Sequence, residues 1–259
     1  MPTFSVTDIT ELVNGFMWPF FRITAFFLVA PLFSANFIPT RVRLALGFTV
    51  SVIVTPLLPT VPAVDPISLP AAILVAQQLV IGIAMGLVMQ FFFQVFIYGM
   101  QLVAMQMALG FAAVADPVNG VNTTVVAQYF LMLVMLIFIA TNGHLAMIDV
   151  LIESFRTMPI GEGSIGPDQS LSMVYAGSWI FLSGLLLALP AVTALLVMNV
   201  LFGVMTRAAP QLNVFSLGFP VSMMFGMFLI WATLSDFMPR FDRLTIEIFV
   251  YVRQLIGAV

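Results

Sequence analysis

Residues 71–109, AAILVAQQLVIGIAMGLVMQFFFQVFIYGMQLVAMQMAL, contain no charged side chain, and the uncharged run extends from Pro66 to Ala115. One helix over residues 71–109 would be roughly 58 Å long at 1.5 Å per residue, against a hydrocarbon core near 30 Å. A simple spanning helix is therefore the wrong picture. Either the rod breaks, with Gly99 the candidate, or it runs beyond the bilayer inside a protein assembly. Two features favour an assembly. Gly82 and Gly86 form a G-x-x-x-G pair that lets another helix approach closely. Gln90, Gln94 and Gln101 fall within about 40° of one another on a helical wheel. In hydrocarbon these amides need partners, so the stripe is expected to face another subunit, another segment or a wet lumen. Hydrogen bonding within one bundle is the alternative.

Composition carries the same message along the whole chain. Of 259 residues, 62% are hydrophobic and only 7% charged, where soluble domains carry about 25% charge. This is an all-α, membrane-type composition. The 18 methionines and 26 phenylalanines make a soft, bulky apolar surface suited to adaptable packing. A net charge of −3 with no lysine argues against nucleic acid, which needs a basic field. The absence of cysteine excludes disulfides, thiolate metal sites and cysteine nucleophiles. His144 is the one histidine and cannot build a multi-histidine metal site. With no nucleophile–base pair, paired carboxylate motif or Gly-rich phosphate loop, the sequence nominates no catalytic, cofactor-binding or metal residues. The N-terminus lacks a basic region before the first apolar run, so a cleaved signal peptide is not expected.

Taken in order, the first helix is expected from Thr7 or Asp8. Its apolar run, Phe16 to Phe33, contains Arg22, a charge that costs about 2.5–3.5 kcal/mol in a lipid-facing helix. Arg22 is therefore expected to face protein or water, with snorkelling to an interface as the alternative. A short second helix covers Leu44 to Leu58, and five prolines from Pro56 to Pro70 make a stiff link. After the long run comes LGFAAVADPVNGVN, residues 109–122, small and turn-rich. A helix from Thr123 to Ala140 ends at Asn142-Gly143, where His144 reads as structural rather than as a proton relay. Asp149, Glu153 and Arg156 follow at helical spacing, with Glu153 to Arg156 an attractive i,i+3 pair. Leu171 to Met205 forms a second overlong rod with Pro190 as a kink, and its return helix starts near Asn213. The tail from Pro239 is an amphipathic helix expected to lie at an interface or on a partner. The positive-inside rule chooses no orientation, because Arg41, Arg43 and Arg207 oppose Arg240, Arg243 and Arg253.

Between the last two rods stands MTRAAPQLNVFSLGFPV, Met205 to Val221. Arg207 meets the free carbonyls and negative dipole end of the first rod. Pro210 stops that rod, and Gln211 and Asn213 serve the bend, with Asn213 or Ser216 capping the return. This string, together with Gly110-Phe111, Asp116-Pro117 and Asn142-Gly143-His144 in order and rough spacing, resembles the FliR/SctT family of type III export gates. Leu217 to Val221, LGFPV, resembles the flagellar branch, since injectisome members more often carry a Pro followed by Lys-Ser there.

The resemblance implies long kinked helices and helical hairpins built for a helical, multi-subunit gate. Residues 1–170 would be a FliP-like region with a plug loop at 109–122, and residues 171–259 a FliQ-like hairpin with an amphipathic tail. A single copy would join several copies of FliP and FliQ in a cone-shaped complex, contacted by FlhB and fed by FlhA. The complex would sit in the bacterial inner membrane and flagellar basal body, in contact with lipid, with part on the periplasmic side. Unfolded flagellar proteins would pass through its centre. Gly110, Phe111, Asp116 and Pro117 would then belong to the plug, although Asp116 also reads as a turn-former. Arg207, Pro210, Gln211 and Asn213 would form the assembly joint. The competing class is a small-molecule or ion transporter, which needs an intramembrane ionisable site or paired broken helices.

Overall fold

The computed structural model describes residues 6–34, 38–58, 62, 64–66, 68–110, 123–162, 164–209 and 218–258, and every regular element among them is helical. In chain order these are α1 (Val6–Val29), α2 (Thr40–Val54), a 3-10 turn at Thr55–Leu57, α3 (Leu69–Gln106) and α4 (Val125–Ala140). Then come α5 (Gly143–Thr157), α6 (Pro167–Ala208), α7 (Phe219–Thr233), a 3-10 turn at Leu234–Asp236, and α8 (Phe237–Leu255). Among the described residues, four stretches are long and apolar enough to cross a membrane, namely Thr40–Leu57, Leu69–Gln106, Pro167–Ala208 and Phe219–Leu255. The pair α4 and α5, broken at Thr141–Asn142, makes a fifth if counted as one span. The chain is thus an all-α membrane-type protein.

Helix α3 does not break at Gly99. It is continuous over 38 residues, so the expected break is not found. Gly99 is instead a point of close approach: a Cβ there would lie 2.8 Å from the Gly184 carbonyl oxygen on α6. Gly82 and Gly86 do receive a neighbouring helix, but it is α1 of the same chain rather than another subunit. A Cβ on Gly82 would overlap the Arg22 carbonyl oxygen, and one on Gly86 would lie 3.1 Å from Ala30 N and from Phe26 O. The small residues therefore serve internal packing.

Helix α6 likewise runs unbroken through Pro190. Proline has no N–H to give the carbonyl four residues back. That carbonyl, Leu186 O, accepts from Arg240 Nη1 at 3.4 Å. Thr193 Oγ1 adds a bond to Leu189 O at 2.8 Å within the same turn. Between α4 and α5, Asn142 adopts the left-handed conformation at φ 60°, which asparagine tolerates better than most residues. Gly143 then allows the Phe138 ring against the backbone, where a Cβ would meet it at 2.6 Å.

By compactness, the described residues of Met1–Phe91, Phe138–Gly177 and Ile248–Val259 form one unit and those of Phe92–Ile137 and Ser178–Glu247 another. The borders fall inside α3, α4, α6 and α8. The first unit buries Trp18, Ile23, Phe26, Phe27, Ile81, Met85 and Phe155. The second holds an aromatic core in which Phe241 meets Phe92 at 5.5 Å and Phe96 at 6.2 Å between ring centroids. Phe237 adds contacts to Phe96 and Phe130.

The C-terminal tail differs from expectation. Phe237, Phe241, Leu244, Ile248, Val252 and Leu255 recur at helical spacing and are all buried. The amphipathic face of α8 is thus spent within the chain and is not left for an interface. Glu247 accepts from Trp179 Nε1 at 2.7 Å, and Arg253 pairs with Glu153 at 3.2 Å. Glu153 therefore pairs with the tail rather than with Arg156, which is exposed.

Candidate functional site

Arg22 is the one charge inside the first apolar run, and it is 0% exposed. Its guanidinium is held by two elements, α3 and the end of α5. Nε donates to Gln78 Oε1 on α3 at 2.7 Å. Nη1 donates to Ser154 O at 2.9 Å and to Ser154 Oγ at 3.2 Å. Nη2 donates to Met158 O at 2.9 Å, and the Phe155 ring lies 4.3 Å from Cζ. Ser154 and Met158 belong to the C-terminal end of α5, where the dipole is negative; Ser154 O also accepts from Met158 N at 2.9 Å, while Met158 O is a carbonyl beyond the helical ladder. The cation is thus stabilised by neutral acceptors and a helix terminus. Gln78 was not nominated from the sequence; the Gln77-Gln78 pair in an apolar run was the available signal.

The three stripe glutamines lie on one face of α3 and are half-buried. Gln101 is engaged in an interaction. Gln90 and Gln94 make no hydrogen bond among the described residues.

Of the expected plug residues, Gly110 is described. It follows the end of α3, and a Cβ there would meet nothing nearer than Met105 Cγ at 3.7 Å. Phe111, Asp116 and Pro117 lie outside the described residues. Of the joint, Arg207 stands exposed in the last turn of α6, where its charge complements the helix dipole. Pro210, Gln211 and Asn213 lie outside the described residues. His144 is half-buried with Nδ1 unpaired among them.

A second polar cluster, also absent from the sequence reading, lies where α3, α6 and α7 meet. Asn199 Nδ2 donates to Gln106 O at 3.3 Å and to Gln106 Oε1 at 3.2 Å. Ser222 Oγ donates to Asn199 Oδ1 at 3.3 Å. Around it Val103, Met107, Ala188, Ala191 and Leu195 form an apolar core with Leu109, Phe225 and Leu229 packed on it.

Long apolar helices enclosing a buried arginine describe a membrane-type protein, and comparison with known proteins agrees. Residues 13–248 match the family model described as bacterial export proteins, family 1. The flagellar biosynthetic protein FliR of Pectobacterium carotovorum subsp. carotovorum is 38% identical over 251 residues, covering 96% of this chain and 95% of that protein. FliR of Escherichia coli strain K12 is 38% identical over 245 residues, covering 95% and 94%. FliR of Bacillus subtilis strain 168 is 25% identical over 220 residues, covering 83% and 84%. The match runs nearly end to end, through both compact units and all the long helices, and the chain belongs to family 1 of the bacterial export proteins.

Proposed function

We propose that this chain is a pore-forming subunit of the flagellar type III protein export gate, assembling with FliP and FliQ to conduct unfolded flagellar proteins across the inner membrane. Residues 1–170 act as the FliP-like part and residues 171–259 as the FliQ-like hairpin. FlhB contacts the complex, FlhA feeds it, and part of it stands on the periplasmic side of the membrane.

One observation carries the reading beyond family membership. Helix α6 has 42 residues, roughly 63 Å at 1.5 Å per residue and about twice the hydrocarbon core. Along it Val174, Phe181, Leu182, Val197, Val200 and Val204 are each about 60% exposed. Lipid tails cover only about half of such a face. The remainder needs other apolar helices, because exposed apolar patches of this size mark interaction surfaces. The transporter reading finds no comparable support, since Arg22 is already held by the chain's own acceptors.

In this function the segment after α3, from Gly110 through Pro117, closes the conduit sterically and yields when a chain is threaded. Deletion of Gly110 to Ala115 is expected to leave a complex that assembles with FliP and FliQ but leaks small ions in proteoliposomes. An assembled deletion complex with unchanged conductance and continued secretion would contradict the plug role.

A further inference from the structure

We propose that Asn199 is a positioning residue: its side chain, borrowed from α6, caps the C-terminus of α3 and fixes the direction in which the chain leaves at Gly110. This deepens the gating function proposed above and rests on it for its consequence, though not for its geometry.

The argument begins with the four carbonyls that an α-helix leaves without helical donors at its C-terminus. In α3 these belong to Val103, Ala104, Met105 and Gln106. Three are satisfied by the chain that follows: Val103 O by Met107 N, Ala104 O by Leu109 N and Met105 O by Ala108 N, each at 3.0 Å. The last two bonds are the six-to-one and five-to-two pair of a Schellman ending. Gln106 O is the remainder, and it accepts from Asn199 Nδ2, which also reaches Gln106 Oε1. Asn199 Oδ1 is in turn held by Ser222 on α7. The three residues form a directed chain, hydroxyl to amide to carbonyl, across three helices.

The need for external help is visible at Ala108. A Schellman ending wants glycine at its left-handed position, yet here that position is Ala108 at φ 64°. An L side chain in that conformation weakens the ending. Beside it the wedge is tight: Met107 is fully buried, and a Cβ on Gly226 of α7 would overlap Met107 Cγ. Packing thus sets the distance between α3 and α7, while the polar chain sets the rotation of the final turn. Among apolar side chains an amide network of this kind selects one arrangement because every alternative leaves polar groups unpaired.

The test uses the absence of native cysteine. A nitroxide on Gly110→Cys reports the exit, and one on Val250→Cys, exposed on α8, serves as the remote control. In the complex co-purified with FliP and FliQ, Asn199→Leu, which keeps the volume and removes the amide, is expected to abolish the immobilised spectral component at 110 and leave the signal at 250 unchanged. Ser222→Ala should reduce the same component partially, and add nothing in the Asn199→Leu background. Ala108→Gly should restore part of it, which a role in packing alone would not produce. If Asn199→Leu does not accumulate, Ser222→Ala alone decides. An immobilised component at 110 undiminished from the parent protein in the decisive variant would overturn the proposal. A freed label with ion conductance unchanged would support the positioning role and instead contradict gating by the segment that follows.

Discussion

Arg22 shows how a single side chain ties an apolar chain together. A buried guanidinium demands acceptors, and here α3 and the end of α5 supply them, with no carboxylate in contact among the described residues. Truncating Arg22 to alanine leaves Gln78 Oε1 and Met158 O buried without their donor, at about 1–3 kcal/mol for each acceptor left unpaired. Arg22→Ala is therefore expected to lower the melting temperature of the detergent-solubilised protein sharply. An unchanged melting curve would mean that these bonds do not hold the first unit together. Gly82 works at the same scale by a different force, because removing its hydrogen for a methyl would drive α1 off α3. The sequence disclosed that Arg22 must be enclosed, from the cost of a charge among apolar residues. It did not disclose the partners, since Ser154 and Met158 lie 132 and 136 positions away.

At the scale of elements, α8 separates strong from weak contributions. Phe241 is 1% exposed, and Phe241→Ala is expected to cost about 3–5 kcal/mol, the range for a large core side chain. The Arg253–Glu153 pair keeps 42% and 34% of its side chains exposed, so Arg253→Ala is expected to cost under about 1 kcal/mol. Equal losses of stability in urea unfolding for the two variants would contradict this ranking. The amphipathic pattern of α8 was legible in the sequence, but an apolar face does not say what covers it. The cover is the chain's own Phe92, Phe96 and their neighbours. The length of α3 was legible for the same reason that its partners were not: a run without charges fixes depth in an apolar environment and leaves the neighbour unspecified. Glycine at 82 and 86 announced a close helix, and nothing local distinguishes α1 from a foreign subunit. The asparagine cap on α3 was the least legible of all, because Asn199 and Gln106 are 93 residues apart.

At the scale of the whole molecule, the apolar faces left exposed on α2, α4, α6 and α7 exceed what a lone soluble bundle would present. Phe48, Met132, Leu136, Val200, Met224 and Trp231 all stand at more than half exposure. Where such surface lies outside the hydrocarbon, association with further helices removes it from water, at about 25 cal/mol per Å². The central claim is that FliP and FliQ supply those helices. The most direct measurement is the native mass of the complex purified through a tag on this chain after co-expression with both. A single mass containing one copy of this chain and several copies of each partner is the predicted result. Recovery of this chain alone, as a stable monomer with neither partner attached, would contradict the account.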